Sequence, residues 1–253
     1  VELEAFARDP EQSQFTLSGY AGTGKTSILK LFHIYMCHYY RPPIYSAPTH
    51  RALCVISQMN PSAKTATLAK IFGLLPQLKI EDGGYTLEEI EFSQQKKPTI
   101  ERGDFLIIDE CSMVNEALYS FIQENRYSLG LKVLYVGDSA QIKPVKETNI
   151  SPVFTNKHGT TIVLTKVERT GDNPILKEAT DLRNGLDFSR KTSVNDAGHG
   201  VEYLSKPQVR DVIKKEFPTL STNPLYIRCL AGTRAVVQKS NDIIRQILNC
   251  REQ

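Results

Sequence analysis

Apolar and polar residues come in blocks along this chain. Short apolar runs, each bounded by turn residues, occur at Phe15–Ser18, Ile44–Ala47, Phe105–Ile108, Val133–Val136, Ile162–Thr165 and Leu225–Leu230. Runs of this kind, without strict alternation, predict strands buried on both faces. Longer segments of helical character lie between several of them: Thr26–Tyr40, His50–Gln58 and Asn115–Glu124. The first is apolar on most of its faces, as a helix packed on a sheet requires. Strands alternating with helices predict an α/β fold with a mostly parallel sheet and helices on both faces.

Two stretches interrupt this alternation. Leu74–Arg102 is polar and centres on Asp82-Gly83-Gly84, with Leu78-Lys79-Ile80 before it and Tyr85-Thr86-Leu87 and Ile90-Glu91-Phe92 after it. Paired β-forming runs around a glycine turn predict a hairpin inserted between a helix and a strand. Asn184–Gly200 is polar throughout and reads as a linker or loop.

Composition narrows the class. A length of 253 residues accommodates one large domain or two ordinary ones. Hydrophobic residues at 40% and charged residues at 23% fit a folded globular chain and exclude wholesale disorder. The formal charge of +3 neither demands nor excludes a nucleic-acid partner, because binding depends on where charge sits. No apolar run approaches the roughly 18 residues of a membrane span, so no membrane partner is expected. The opening residues have no basic n-region and no apolar h-region, so no signal peptide is expected. The five cysteines, at 37, 54, 111, 229 and 250, are odd in number, widely spaced and without a CxxC pair. They read as reduced thiols of a cytoplasmic protein.

Candidate chemistry begins at Gly19-Tyr20-Ala21-Gly22-Thr23-Gly24-Lys25-Thr26, which fits GxxxxGK[ST] between a strand and a helix. Glycines let backbone N–H groups turn inward around a phosphate, and the positive end of the following helix adds to that field. Gly22, Thr23 and Gly24 would form the cradle, Lys25 would reach the β- and γ-phosphates, and Thr26 would offer its hydroxyl to Mg²⁺. The strand Phe105–Ile108 ends in Asp109-Glu110. A carboxylate pair at the C-terminal end of a buried strand points into the ligand crevice of an open α/β sheet. There Asp109 would hold Mg²⁺ and Glu110 would orient and deprotonate the attacking water. Gln141, just past the strand Lys132–Val136, would sense a γ-phosphate by hydrogen bonding, or else belongs to an ordinary polar loop.

Taken in order, these segments and others resemble the motifs of superfamily 1 helicases. GYAGTGKT resembles motif I, APTHRAL (Ala47–Leu53) motif Ia, IIDECSM (Ile107–Met113) motif II in its RecD-like and Dda-like form, and GDSAQIKPV (Gly137–Val145) motif III. LTKVERTGDNPI (Leu164–Ile175) is similar to the segment whose arginine touches the γ-phosphate, which places that role on Arg169. AGTRAVVQKSNDIIR (Ala231–Arg245) is similar to a segment early in the second RecA-like domain. The chain departs from the pattern at Lys143, where proline is usual, and at Thr67-Leu68-Ala69-Lys70, which lacks the family's histidine. The adenine-reading glutamine of the family has no match. The last two motifs, one carrying an arginine finger, do not occur, and the expectation is a part of a longer protein.

The resemblance implies a RecA-like P-loop NTPase core over 1–73 and 104–170, an inserted hairpin or pin over 74–103, and a linker with part of a second RecA-like domain over 171–253. It implies ATP and Mg²⁺ as cofactors, and single-stranded DNA with adjoining duplex as partner. The implied activity is ATP-driven translocation and unwinding, 5′ to 3′ as in this branch, with the fragment alone poorly active. Pro48, Thr49, His50 and Arg51 open a helix after a strand and suit a strand phosphate, although Thr49 also reads simply as an N-cap. Thr67, with Lys64 and Thr65, is a second polar-basic stretch. Phe92 occupies a place similar to the family's pin aromatic, with Tyr85 as the alternative tip; either would stack on a base, or the two would stabilise the hairpin as cross-strand partners. Tyr35, Tyr39 and Tyr40 read as packing residues at the end of the first long helix. An RNA helicase and a nucleotide-binding regulatory module without unwinding activity remain the alternatives.

Overall fold

The structure is a computed structural model that describes all residues except 78–79, 82–83, 86–90, 95–96, 145–146, 157–158, 168–173, 187–191, 197, 217–232 and 248–253; in the hairpin strands after Leu74 and at Arg51, Met59 and Arg234 the backbone alone is described. Two compact units divide the chain, Val1–Gly171 and Asp172–Gln253.

The first unit runs α1 (Glu2–Arg8), β1 (Gln14–Gly19), α2 (Lys25–Tyr39), β2 (Ile44–Ser46), α3 (His50–Met59), β3 (Lys64–Thr65), α4 (Leu68–Phe72), β4 (Leu74–Gln77), β5 (Ile80–Glu81), β6 (Gly84–Tyr85), β7 (Glu91–Gln94), β8 (Phe105–Ile108), a 3₁₀ turn (Cys111–Met113), α5 (Glu116–Leu129), β9 (Lys132–Gly137), α6 (Pro152–Thr155) and β10 (Thr160–Leu164). Six strands form one sheet in the order β10-β1-β9-β8-β2-β3, every neighbouring pair parallel. The chain lays strands on one side of β1 until β9, then crosses to its far side for β10.

Side chains alternate across the sheet with period two. Leu17, Tyr45, Ile107, Leu134 and Val136 pack on one face with α1, α2 and α3. Ile44, Leu106, Ile108, Val133 and Tyr135 pack on the other, with α4, α5 and α6. Apolar side chains on both faces are why the central strands read as continuous hydrophobic runs. β10 is the exception. The expected buried strand at Ile162–Thr165 is only half covered, with Val163 55% exposed, because β10 is the sheet's edge. The short α1 had no counterpart in the sequence reading. Leu3, Phe6 and Ala7 bury one face of it, and the Phe6 ring lies 5.2 Å from Phe15 and 5.5 Å from Phe105.

The inserted hairpin is present. β4 pairs antiparallel with β7, Pro76 opposite Phe92, and β5 with β6, Ile80 opposite Tyr85. The side chains of Phe92 and Tyr85 lie outside the description. The tyrosine end of α2 packs at an edge of the unit. Tyr35 stacks on Phe32 and donor Nε of Arg8 reaches its hydroxyl at 3.0 Å, but Tyr39 and Tyr40 are exposed. Their ring centroids lie 5.0 Å and 6.0 Å from that of Tyr35, so the three rings pack on one another.

The second unit holds α7 (Pro174–Arg183), β11 (Ser193–Val194), β12 (Gly200–Val201), α8 (Lys206–Glu216) and α9 (Arg234–Ile247). The stretch Asn184–Gly200, expected as a loop, contains a small antiparallel pair, Ser193 with Val201 and Val194 with Gly200. Asn195 closes its turn by accepting the His199 N–H at 2.9 Å through Oδ1. The expected strand Leu225–Leu230 lies outside the described residues. Among the described residues no helix is long and apolar enough to cross a membrane.

Candidate nucleotide-binding site

At the C-terminal ends of β1, β8 and β9 the sheet opens into a cleft of about 440 Å³, lined by Gly22, Gly24, Lys25, Thr26, Asp109, Glu110, Gly137 and Gln141 among others. These residues are far apart in sequence. They meet because β1, β9 and β8 are neighbours, and the connections that leave β1 and β9 run to opposite sides of the sheet, the kind of switch point at which open α/β sheets hold ligands.

The loop after β1 needs glycine. Gly22 and Gly24 have φ of 81° and 86°, in the left-handed region that glycine enters without a Cβ clash. Gly24 then caps α2, so the positive end of a 15-residue helix faces the cleft. Gly19 is required for another reason: a Cβ there would meet the Leu164 side chain and Thr23 Oγ1, each at 2.8 Å. Thr23 is buried and donates to the Tyr20 carbonyl at 2.8 Å, bracing the loop from within. Nζ of Lys25 donates to the carbonyls of Gly19 at 2.6 Å and Tyr20 at 2.9 Å. The ammonium is thus held at the loop mouth.

Asp109 follows β8 directly. Its N–H donates to the Ser46 carbonyl at 2.9 Å, which extends the β8–β2 ladder by one residue and fixes the carboxylate at the strand end. Burial pushes the Asp109 carboxyl up to about 6; the Glu110 N–H bonded to it opposes that, the Glu110 charge adds to it, and Lys25 opposes it. Glu110 takes φ 53°, the only positive φ at a non-glycine among the described residues, and begins the 3₁₀ turn. Backbone strain of that kind gathers at functional positions. Gln141, exposed, sits on a turn in which its N–H donates to the Asp138 carbonyl at 3.1 Å, while Oδ1 of the buried Asp138 accepts from Ala140 N–H at 3.1 Å. Arg169 lies outside the described residues.

The donor set fits Mg²⁺. Thr26 offers a hydroxyl and Asp109 a carboxylate to the same cleft, an all-oxygen pair of the kind a hard cation takes. A buried carboxylate with raised affinity for a proton is also one that a cation would relieve.

Of the residues expected to touch nucleic acid, Thr49 and Thr67 both act as N-caps. Oγ1 of Thr49 accepts the Ala52 N–H at 3.3 Å, and Oγ1 of Thr67 accepts the Lys70 N–H at 3.3 Å. Pro48 and Thr49 are half-buried and His50 is exposed at the start of α3, just beyond β2; the Arg51 side chain is outside the description. Nζ of Lys64 donates to the Thr99 carbonyl at 3.3 Å. Sequence reasoning missed Lys132, whose ammonium donates to the carbonyls of Phe6 at 2.7 Å and Gln12 at 2.8 Å, and of Asp9. That clamp ties α1 and its following loop to the start of β9. Only the i, i+3, i+4 spacing of Leu3, Phe6 and Ala7 could have signalled α1.

Comparison with known proteins follows the same lines. An uncharacterized protein of Acanthamoeba polyphaga mimivirus is 29% identical over 199 residues, covering 72% of this chain and 40% of the relative. The Pif1 helicase of Candida albicans aligns over 100% of this chain and 54% of its own, with 21% identity and a TM-score of 0.56. The PRRSV helicase aligns over 72% of this chain and 36% of its own, with 17% identity and a TM-score of 0.38. The chain therefore spans about half or less of the length of these proteins, and the likeness to Pif1 shows a shared RecA-like α/β fold. The matched region contains the phosphate loop, the Asp109-Glu110 pair and the Gln141 turn together: over residues 3–199 the chain matches the AAA_30 profile, and it belongs to that AAA domain family of helicase-like P-loop NTPases.

Proposed function

We propose that this chain is the ATP-hydrolysing part of a superfamily 1 DNA helicase of the RecD-like, Dda-like kind. The observation that carries the reading is the meeting of Lys25, Thr26, Asp109, Glu110 and Gln141 at the ends of three adjacent parallel strands. In it, the triphosphate lies in the loop after β1. Lys25 exchanges its carbonyl partners for phosphate oxygens, Thr26 and Asp109 would hold Mg²⁺, and Glu110 takes a proton from the attacking water. Mg²⁺ held there would supply charge neutralisation, and the protein contributes positioning. Gln141 reports the γ-phosphate, and Arg169 joins it from the segment after β10.

The nucleic acid is single-stranded DNA beside a duplex, followed from its 5′ end. It runs past His50 and Arg51 at the start of α3, where backbone N–H groups and a cation suit a phosphate. The β4–β7 hairpin acts as the pin that parts the duplex, with Phe92 or Tyr85 against the terminal base. Residues 171–253 are part of a second RecA-like domain.

The test, made on the whole protein that carries this chain, is ATP turnover with and without single-stranded DNA, beside strand displacement on partial duplexes bearing a 5′ or a 3′ tail. DNA-stimulated turnover and displacement from the 5′ tail are expected. Stimulation by RNA alone would transfer the reading to an RNA helicase. Nucleotide binding without hydrolysis under any nucleic acid would sink it.

A further inference from the structure

Glu110 stands between two anchors. On one side the Asp109 N–H is bonded to the Ser46 carbonyl. On the other, the 3₁₀ turn closes through the Met113 N–H to the Glu110 carbonyl at 3.2 Å and the Val114 N–H to the Cys111 carbonyl at 3.1 Å. Cys111 is fully buried, so its side chain has no open direction to move into. What it abuts is Gly137, the last residue of β9. A Cβ on Gly137 would lie 2.7 Å from Cys111 Sγ, 3.2 Å from Cys111 N and 3.4 Å from the Phe154 ring. Contacts under 3 Å do not survive, and close-packed interiors pass such displacements on rather than absorb them. The same Gly137 starts the turn that carries Asp138 and Gln141.

We propose that the contact between Gly137 and Cys111 sets the position of Glu110 and couples it to the Gln141 turn, so that a shift at the γ-phosphate sensor reaches the residue that activates water. Gly137 is in this sense a positioning residue. The absence of a side chain at residue 137 lets β9 lie directly on the Cys111 turn, and the left-handed backbone of Glu110 is what that turn imposes on the residue before it. The inference rests on the ATP-hydrolysis reading, but its mechanical part does not need turnover to be seen.

Four versions of the whole protein that carries this chain decide it: the parent, Gly137→Ala, Cys111→Ala and the double variant. Each is measured for single-turnover ATP hydrolysis, for affinity toward a fluorescent ADP, and for amide hydrogen exchange across residues 109–114. Gly137→Ala is expected to slow hydrolysis at least about tenfold with ADP affinity within about twofold, and to speed exchange at the Met113 and Val114 amides. Removing the sulfur in the double variant is expected to recover most of the hydrolysis and the slow exchange. Cys111→Val, which presses on the same contact from the other side, is expected to reproduce the slow hydrolysis if Gly137→Ala folds poorly. Parent-like hydrolysis and exchange in both Gly137→Ala and Cys111→Val overturns the proposal. So does equal loss of hydrolysis and ADP affinity, or a double variant no better than Gly137→Ala. If the parent binds ADP but never hydrolyses ATP, the helicase reading fails, and the exchange pattern still decides whether the contact holds the Glu110 turn.

Discussion

Glu110 is where stability and activity should separate most clearly. Its φ of 53° and ψ of 39° place an ordinary side chain in left-handed backbone, which costs an L-residue about 1–2 kcal/mol. Asparagine adopts this conformation more readily, because its short amide bonds locally to the backbone. Glu110→Asn should therefore recover about 1 kcal/mol. It also removes a negative charge beside Asp109, whose carboxyl Glu110 pushes up. In a unit the size of Val1–Gly171, a gain of about 1 kcal/mol raises the melting midpoint by roughly 2–4 °C. Turnover should move the other way, down about 10²–10⁴-fold, because the group assigned to activate water is gone. Glu110→Ala separates the two effects: it loses the same carboxylate but keeps the backbone penalty, so activity should fall without the rise in midpoint. Thermal unfolding by circular dichroism and single-turnover hydrolysis suffice. A lower midpoint for Glu110→Asn than for Glu110→Ala would refute the strain, and turnover within tenfold of the parent would refute the role.

Lys25→Ala should abolish ATP hydrolysis in the whole protein that carries this chain, and near-normal turnover would remove the phosphate-site assignment. Asp109, with its carboxyl near 6 in the folded chain against 3.8 as the ordinary value, is partly protonated at mildly acidic pH. Its folded-state affinity for a proton is raised, so its contribution to stability is present at low pH and is lost as pH rises from about 4 to about 6; Asp109→Asn should abolish that dependence. For the same reason Mg²⁺–nucleotide binding should release about half a proton near pH 6 and almost none at pH 8, read by calorimetry in buffers of different ionisation heat. Lys132→Met leaves the carbonyls of Phe6 and Gln12 without their ammonium donor. It should cost about 1–3 kcal/mol and free α1 first, seen as protease cutting before Phe15; uniform destabilisation with α1 still protected would contradict the clamp. Phe92→Ala should impair duplex unwinding more than DNA-stimulated ATP hydrolysis, and equal loss of both would argue against a pin.

What could be read along the chain, and what could not, follows from how many segments a feature needs. The loop after β1 is legible because its whole chemistry, glycines for left-handed backbone and a cation and hydroxyl at the helix start, lies in eight consecutive residues, Gly19–Thr26. Asp109 and Glu110 are legible for a similar reason: a run apolar on both faces must be buried, so the acids that end it must emerge where burial stops. β10 was misjudged although its sequence is as apolar as that of β9, because exposure at an edge depends on what the chain does not place beside it. Lys132 and its carbonyls could not be found at all. Every residue carries a carbonyl, so the acceptors leave no mark, and the partners are more than a hundred residues apart. The contact of Gly137 with Cys111 is hidden in the same way, since a glycine at a strand end fits a turn equally well. Sheet order is what turns these separate marks into one site. Neither the P-loop nor the acidic pair says that β9 separates β1 from β8, yet that arrangement puts Gly137 against the Cys111 turn while it faces Lys25 across the cleft. The residue types name the chemistry, and the strand order decides which backbone contacts hold it in place, so variants at contacts such as Gly137 and Lys132 test the assembly while those at Lys25 and Glu110 test the chemistry.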